Sequence, residues 1–138
     1  MVSSQITLPI EETDEFKPDF AKINRRRDVI PVAVQNVETG EVILIAFTNR
    51  LSLLEALKTK LAVFWSLSRN ELWIKGSSSG NYFELVEVYV NCEQNSLVYK
   101  VKPMKGNICH TTNKSGMNRN CFYRKLNIDT LKLENLNP

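Results

Sequence analysis

The chain is 138 residues long, with 43% hydrophobic residues, 24% charged residues and a formal net charge of +3. These are globular values at about the length of one ordinary domain, which excludes two separate cores. No apolar run approaches the roughly 20 residues of a membrane span, and the first residues lack the basic start and apolar block of a secretory signal. We therefore expect a cytoplasmic protein without a membrane partner.

The first part of the chain contains no pattern that indicates a catalytic or binding site. Residues 1–24 are acidic and polar and contain Pro9 and Pro18, which predicts an extended or partly disordered lead-in with a short turn at 16–23. The three arginines at 25–27 lack interleaved aromatic residues and a recognition motif. A solvated patch is favoured over a phosphate site, and we expect no nucleic-acid partner.

The next segment predicts a β-hairpin. Residues 29–37 are rich in β-branched side chains, residues 37–41 supply a turn, and residues 42–47 are apolar again. Because the second strand is apolar on both faces, we expect it to be central in a sheet.

A helix follows the hairpin. Thr48 or Asn49 can cap it, and it is predicted to reach about Lys60. Four leucines recur at helical spacing and predict the face that packs in the core. They are Leu53, Leu54, Leu57 and Leu61.

Further strands alternate with loops in the second half. Residues 62–66 and 72–75 predict two strands joined by a turn, and residues 82–90 and 96–101 predict another pair with 91–95 at their junction. Between these pairs, the small-residue loop 76–81 is either a flexible connection or, with Lys75 before it, an anion site. Leucines in residues 128–138 leave a short docking helix or a disordered tail open.

All the cysteines and the only histidine fall between residues 92 and 121, namely Cys92, Cys109, His110 and Cys121. Zinc takes sulfur and nitrogen ligands in a tetrahedron, so this set suits a metal site. The spacings match no CxxC finger, however, and buried free cysteines often behave as small hydrophobic residues. Without export, an odd number of cysteines indicates reduced thiols. The residues alone leave metal binding and packing open.

Several segments, read together, resemble the phosphoribosyl-AMP cyclohydrolase family, and the resemblance is collinear over about residues 16–125. They are IPVAVQ at 30–35, ETGEV at 38–42, NR at 49–50, FWSLSR at 64–69, LW at 72–73, KG at 75–76, SGN at 79–81, CHT at 109–111 and CFYR at 121–124. The resemblance implies an α+β fold with a mixed, mostly antiparallel sheet and one main helix, assembled as an intertwined homodimer. It divides the chain into a lead-in (1–24), a cyclohydrolase-like domain (25–126) and a tail (127–138).

The resemblance also implies a reaction, the hydrolysis of the N1–C6 bond of the adenine ring in 1-(5-phosphoribosyl)-AMP during histidine biosynthesis. A zinc ion held by cysteines of both subunits maps onto Cys92, Cys109 and Cys121. Such an ion lowers the pKa of a bound water towards neutrality. His110 is the candidate proton shuttle; alternatively, it is a supporting or surface imidazole.

The substrate site is implied by the same resemblance. Its residues are Arg50, Trp65, Ser68, Arg69, Trp73, Lys75, Ser79, Gly80 and Asn81. The cationic residues and the 79–81 loop would hold the ribose phosphates. The two tryptophans would wall the base or pack in the core.

The chain departs from the family at its acidic motif. The family's Asp-Cys-Asp-x-Asp, which binds magnesium, is replaced by Asn91-Cys92-Glu93-Gln94-Asn95. Magnesium prefers charged oxygen ligands, so only a weak magnesium site is expected at Asn91, Glu93 and Asn95.

Two further departures follow. Ile74 replaces a histidine of the family, and the loop between Cys109 and Cys121 is longer. Three functions therefore stay open: the cyclohydrolase, a paralogue hydrolysing another purine-like ring, and a non-catalytic zinc-stapled dimer. A nucleobase deaminase would need His-x-Glu and Pro-Cys-x-x-Cys, which the sequence lacks.

Overall fold

The computed structural model describes residues 10–21, 28–77, 80–104, 112–117 and 119–138. Within these ranges, a 3-10 turn, Ile10–Glu12, is followed by one helix and eight strands. They are β1 Ile30–Asn36, β2 Val42–Thr48, α1 Arg50–Thr59, β3 Val63–Ser66, β4 Glu71–Ile74, β5 Phe83–Val90, β6 Leu97–Pro103, β7 Arg124–Leu126 and β8 Leu133–Asn135. This is an α+β fold with mostly antiparallel strands, as predicted. No helix among the described residues is long and apolar enough to cross a membrane.

The main sheet has four strands in the order β2-β1-β6-β5. The outer pairs are antiparallel, whereas β1 and β6 run parallel. The prediction that the second strand is central is therefore wrong, because β2 lies at one end of this order and Ile45 is 52% exposed. A register shift at Val34/Gln35 lets the successive residues Ile43 and Leu44 both be buried, which explains the apolar run.

The helix α1 begins and ends where the sequence predicts. The Asn49 side chain accepts a hydrogen bond from Ser52 N, and Ser52 Oγ accepts one from Asn49 N, both at 2.9 Å. This reciprocal pair caps the first turn, and Lys60 ends the helix in a left-handed conformation. Leu53 packs in the core as expected, but Leu54 is 58% exposed and is not a core residue. It lies about 100° around the helix from Leu53.

The core lies between α1, the main sheet and the β3–β4 hairpin. Phe64 is at its centre, with its ring 5.4 Å from that of Trp73 and 5.9 Å from that of Tyr99. Both Phe64 and Tyr99 are fully buried. Tyr99 Oη has no hydrogen-bond partner within the part of the chain that the structure describes.

The buried phenol makes stability depend on pH. Burial raises the pKa of Tyr99 to about 12 from an ordinary value of 10.0, against a smaller lowering by nearby Thr48. Thr48 Oγ1 already lies 2.6 Å from Ser52 Oγ, so we assign no hydrogen bond from it to Tyr99. The folded state favours the neutral phenol. Its contribution is therefore complete below pH 10 and is lost as the pH rises from 10 to about 12.

Urea unfolding across this pH range tests the expectation. The wild-type protein should lose roughly 2–3 kcal/mol more of its unfolding free energy than Tyr99→Phe, because two pKa units correspond to about that energy. The variant should be no less stable below pH 10, since it deletes a buried hydroxyl without a described partner. Parallel pH curves for the two proteins would contradict the assignment.

The lead-in is fastened to the turn between β5 and β6 through Gln94, which is 4% exposed. Its side-chain oxygen accepts a hydrogen bond from Lys17 N, and its side-chain amide donates to Glu15 O at 2.7 Å. Gln94 O also accepts from Asp19 N at 2.7 Å. With Phe20 buried as well, residues 15–20 of the lead-in belong to the packed structure, and the turn at residues 20–21 falls within the predicted 16–23.

The tail contains a strand, so the predictions of a docking helix or a disordered tail are both wrong for it. β8 pairs with β7 in a small antiparallel sheet. The end of the chain also contacts the loop before Cys121, because Asn113 Nδ2 donates to Asn137 Oδ1 at 2.8 Å and Arg119 Nη1 donates to Asn137 O at 2.9 Å. The tail therefore braces this loop.

Candidate active site

The segment Asn91-Cys92-Glu93-Gln94-Asn95 forms the tight turn that joins β5 to β6. Asn91 Oδ1 accepts hydrogen bonds from Asn95 N at 2.8 Å and Ser96 N at 2.9 Å, which closes the turn. Gln94 adopts a left-handed conformation with φ 54°. Cys92 is exposed at the apex, where rigid neighbouring strands hold its position.

Cys121 lies beside β2, at the opposite end of the strand order from β5. It is also exposed, and its backbone N–H donates to Ile43 O of β2 at 3.2 Å. β2 and β5 are the two end strands of the four-stranded order, three inter-strand steps or about 14 Å apart, so Cys121 beside β2 and Cys92 at the end of β5 lie at opposite ends of the sheet. Two thiolates on one zinc lie within about 4.6 Å of each other. One subunit therefore does not bring these two cysteines together.

Other potential metal ligands among the described residues are not clustered either. Among the described ranges, which omit Cys109 and His110, no three His, Cys, Asp or Glu side chains lie close enough to hold a metal ion. The thiols fit zinc in their chemistry and exposure, provided that a second subunit supplies the missing ligands. The turn fits magnesium poorly, because Asn91 and Asn95 are neutral and Asn91 Oδ1 already accepts two hydrogen bonds.

The two predicted base-contacting tryptophans lie on opposite faces of the β3–β4 hairpin. The hairpin pairs Phe64 with Trp73 and Trp65 with Leu72. Opposed residues share a face and successive residues alternate, so Trp65 and Trp73 cannot wall a base from the same side. Both rings are half-buried, but Trp73 packs on Phe64 against the core, whereas Trp65 lies on the opposite face and can contact a ligand.

The tip of this hairpin carries Ser68 and Arg69, both exposed. Arg69 N donates to Ser66 Oγ at 3.3 Å, and its guanidinium Nε lies 3.6 Å from Glu71 Oε1. The side chains of this ion pair are about 60% exposed, so water screens it and the pair contributes little to stability. The arginine can therefore exchange Glu71 for a phosphate.

The other end of the hairpin leads into the 75–81 loop. Lys75 N donates to Ala62 O at 3.1 Å, and Lys75 Nζ lies 5.2 Å from the centre of the Phe83 ring. Gly80 N donates to Gly76 O at 2.7 Å, which draws the loop closed beside Asn81. Lys75 and the loop thus share one end of the hairpin, while Arg69 stands at the other.

Gly76 permits this closure, and its replacement is expected to be costly. Its φ is 92°, and a Cβ there would meet Asn81 C at 2.3 Å and Asn81 O at 2.4 Å, both backbone atoms. We expect Gly76→Ala to destabilise the protein by roughly 2–4 kcal/mol. The matched control is Gly40→Ala, which has φ 79° but nothing within 4 Å and should cost about 1 kcal/mol. Equal costs in urea unfolding would contradict the importance of this close approach.

Arg50 is the first residue of α1 and is exposed. Its guanidinium lies 5.7 Å from the centre of the Phe20 ring. A cleft of about 650 Å³ opens here between the lead-in and the start of the helix, with Asp19, Asp28 and Arg50 in its walls. The structure thus places Arg50 beside the lead-in.

Three predicted site residues, Ser79, Cys109 and His110, lie outside the described residues. One residue with a structural role at the site was missed by the sequence, namely Gln94. Its burial and its contacts with Glu15 and Lys17 depend on chain segments nearly 80 residues apart. No periodicity or motif signals such a contact.

The sequence is similar to those of known proteins. The family profile described as PRA-CH, phosphoribosyl-AMP cyclohydrolase, matches residues 44–123. A phosphoribosyl-AMP cyclohydrolase of Chlorobium phaeovibrioides is 45% identical over 103 residues, which cover 75% of this chain and 71% of that protein. Another, of Archaeoglobus fulgidus, is 42% identical over 106 residues, covering 77% and 93%. The histidine biosynthesis bifunctional protein HisIE of Thermus thermophilus is 43% identical over 100 residues, covering 72% and 44%.

Proposed function

The chain belongs to the phosphoribosyl-AMP cyclohydrolase family, and we propose that it opens the adenine ring of 1-(5-phosphoribosyl)-AMP by hydrolysing the N1–C6 bond, as a step of histidine biosynthesis. The observation that carries the proposal is the placement of Cys92 and Cys121. Both are exposed, at opposite edges of one sheet. A zinc ion can gather them only between two subunits, which is the arrangement that the family resemblance implies.

The proposed dimer is supported by exposed apolar side chains on β5. Residues 60–62 pair with the first half of this strand, but its second half carries Val86, Tyr89 and Val90, which are 41–51% exposed. Tyr89 and Val90 lie on opposite faces of the strand, just before the turn that carries Cys92. A second subunit packed here would bury the apolar side chains and bring its own Cys109 and Cys121 towards Cys92.

The cationic residues suit the shape of the substrate. Phosphoribosyl-AMP carries one phosphate on each of two ribose units. Arg69 and Lys75 stand at opposite ends of a hairpin whose strands span roughly 10 Å, so they can hold separate phosphates. Trp65 then offers its half-buried ring to the base. Fixing both ends of the substrate orients the purine for attack.

A bound zinc ion would supply a Lewis acid that lowers the pKa of an attacking water. Cys92, Cys109 and Cys121 would hold the ion. His110, next to a ligand in sequence, would take the proton from the water and return it to the leaving nitrogen, because a neutral imidazole both accepts and donates near neutral pH.

The direct test is turnover of phosphoribosyl-AMP by the purified protein, followed by the absorbance change on ring opening. We expect turnover that depends on zinc, and we expect Lys75→Ala to weaken it by raising KM. Turnover without zinc would contradict the proposed mechanism.

A second candidate is a member of the family that hydrolyses another purine-like ring or holds zinc without catalysis. The observation in its favour is Ile74, which packs against the core where the family has a histidine. A zinc-loaded dimer inactive on phosphoribosyl-AMP, both as native protein and as Ile74→His, would support this alternative.

A further inference from the structure

The side chains that replace the family's acidic motif hydrogen-bond to one another. Asn91 Nδ2 donates to Asn95 Oδ1 at 2.5 Å, and Asn95 Nδ2 donates to Glu93 Oε2 at 3.2 Å. Asn91 Oδ1 accepts from the backbone N–H groups of Asn95 and Ser96. The three positions thus form a continuous chain of hydrogen bonds across the turn.

This chain leaves few oxygen lone pairs for a metal ion. An amide oxygen has two acceptor sites, and both are occupied at Asn91 Oδ1. One is occupied at Asn95 Oδ1. Glu93 supplies the only formal negative charge, whereas magnesium demands near-octahedral geometry from hard, charged oxygens.

Charge explains why the hydrogen-bonded turn and a magnesium-bound turn exclude each other. Three carboxylates in one turn repel unless a cation lies between them. Here two of them are replaced by amides of nearly the same shape, whose N–H groups bridge the oxygens directly. Gln94 bonds the same turn to the lead-in. Protein groups therefore set both the shape of the turn and the position of Cys92.

We propose that amide hydrogen bonds replace magnesium in this chain, so that the 91–96 turn holds no resident magnesium ion. On the basis of the proposed function, we expect the ring-opening reaction to require no added magnesium. Cys92 is presented to zinc by a turn that is complete without a second metal.

Calorimetry and thermal unfolding of the zinc-loaded protein test this without any turnover. Titration with millimolar MgCl₂, against NaCl of equal ionic strength, should give no binding heat and no change in Tm. The isosteric double variant Asn91→Asp/Asn95→Asp should have a lower Tm than the native protein. Millimolar magnesium should bind to this variant and raise its Tm by several degrees.

Asn36→Asp is the matched control, because Asn36 Oδ1 also accepts two backbone hydrogen bonds, from Glu38 N and Thr39 N, in a turn outside the site. It should show no magnesium response. A magnesium-dependent rise in the native Tm that Glu93→Gln abolishes would overturn the inference, as would a double variant as stable as the native protein without magnesium. Failure of the proposed function would show separately, as zinc-loaded protein that does not turn over phosphoribosyl-AMP.

Discussion

Two inactive variants, Cys92→Ser and Cys121→Ser, are expected to restore each other when they are unfolded together and refolded with zinc. Each variant alone should lose nearly all zinc and activity, because zinc needs all three thiolates. In a mixed dimer, however, one of the two shared sites receives Cys92 from one subunit and Cys121 from the other, and is intact. The physical reason is that these cysteines lie at opposite ends of the sheet within a subunit, beside strands that are about 14 Å apart.

The size of the restoration is fixed by symmetry. Random pairing makes half of the dimers mixed, and each has one intact site of two, so zinc content and activity should recover to about a quarter of wild type. The double variant Cys92→Ser/Cys121→Ser is the control, since mixing it with either single variant leaves every site damaged. Recovery near zero from folded single variants would mean that zinc is not shared between subunits.

Removal of zinc is expected to separate the subunits. If the ion joins Cys92 of one subunit to Cys109 and Cys121 of the other, its binding free energy is also association free energy. We expect a chelator to halve the mass in sedimentation and to lower Tm by roughly 10 °C or more. Val86, Tyr89 and Val90 of β5 should become more accessible at the same time.

Cys121→Ser provides the reference for this experiment. The variant should already behave as the chelated protein does, and the chelator should change it no further. A zinc-loaded wild-type protein that stays monomeric at micromolar concentration would contradict the shared site.

Elements specified by short-range interactions could be predicted from the sequence. The β1–β2 hairpin and the ends of α1 follow from a turn at Gly40 and a cap between Asn49 and Ser52, which are contacts within a few residues. The position of β2 at the end of the sheet could not be predicted. Its apolar run results from a register shift that buries both Ile43 and Leu44, and alternation of polarity does not reveal such a shift.

The site was predictable in its parts but not in its assembly. The motifs located Cys92 and Cys121, whereas only the strand order shows that one subunit holds them apart. For the tryptophans, pairing register decides that Trp73 packs in the core. The tail was ambiguous because short apolar runs such as that of β8 suit either a helix or a strand.

The central position of β6 has a consequence for synthesis on the ribosome. β6 pairs with β1 on one side and β5 on the other, although it follows both in sequence. The edges of β1 and β5 that face β6 therefore stay unpaired until Pro103 has emerged, and the lead-in likewise cannot bond to Gln94, 77 residues beyond Lys17, before Gln94 is made. Such distant pairings fold slowly and expose strand edges to aggregation. A nascent chain stalled before β6 would expose the unpaired edges of an incomplete sheet, and chaperone binding should be greatest at that length.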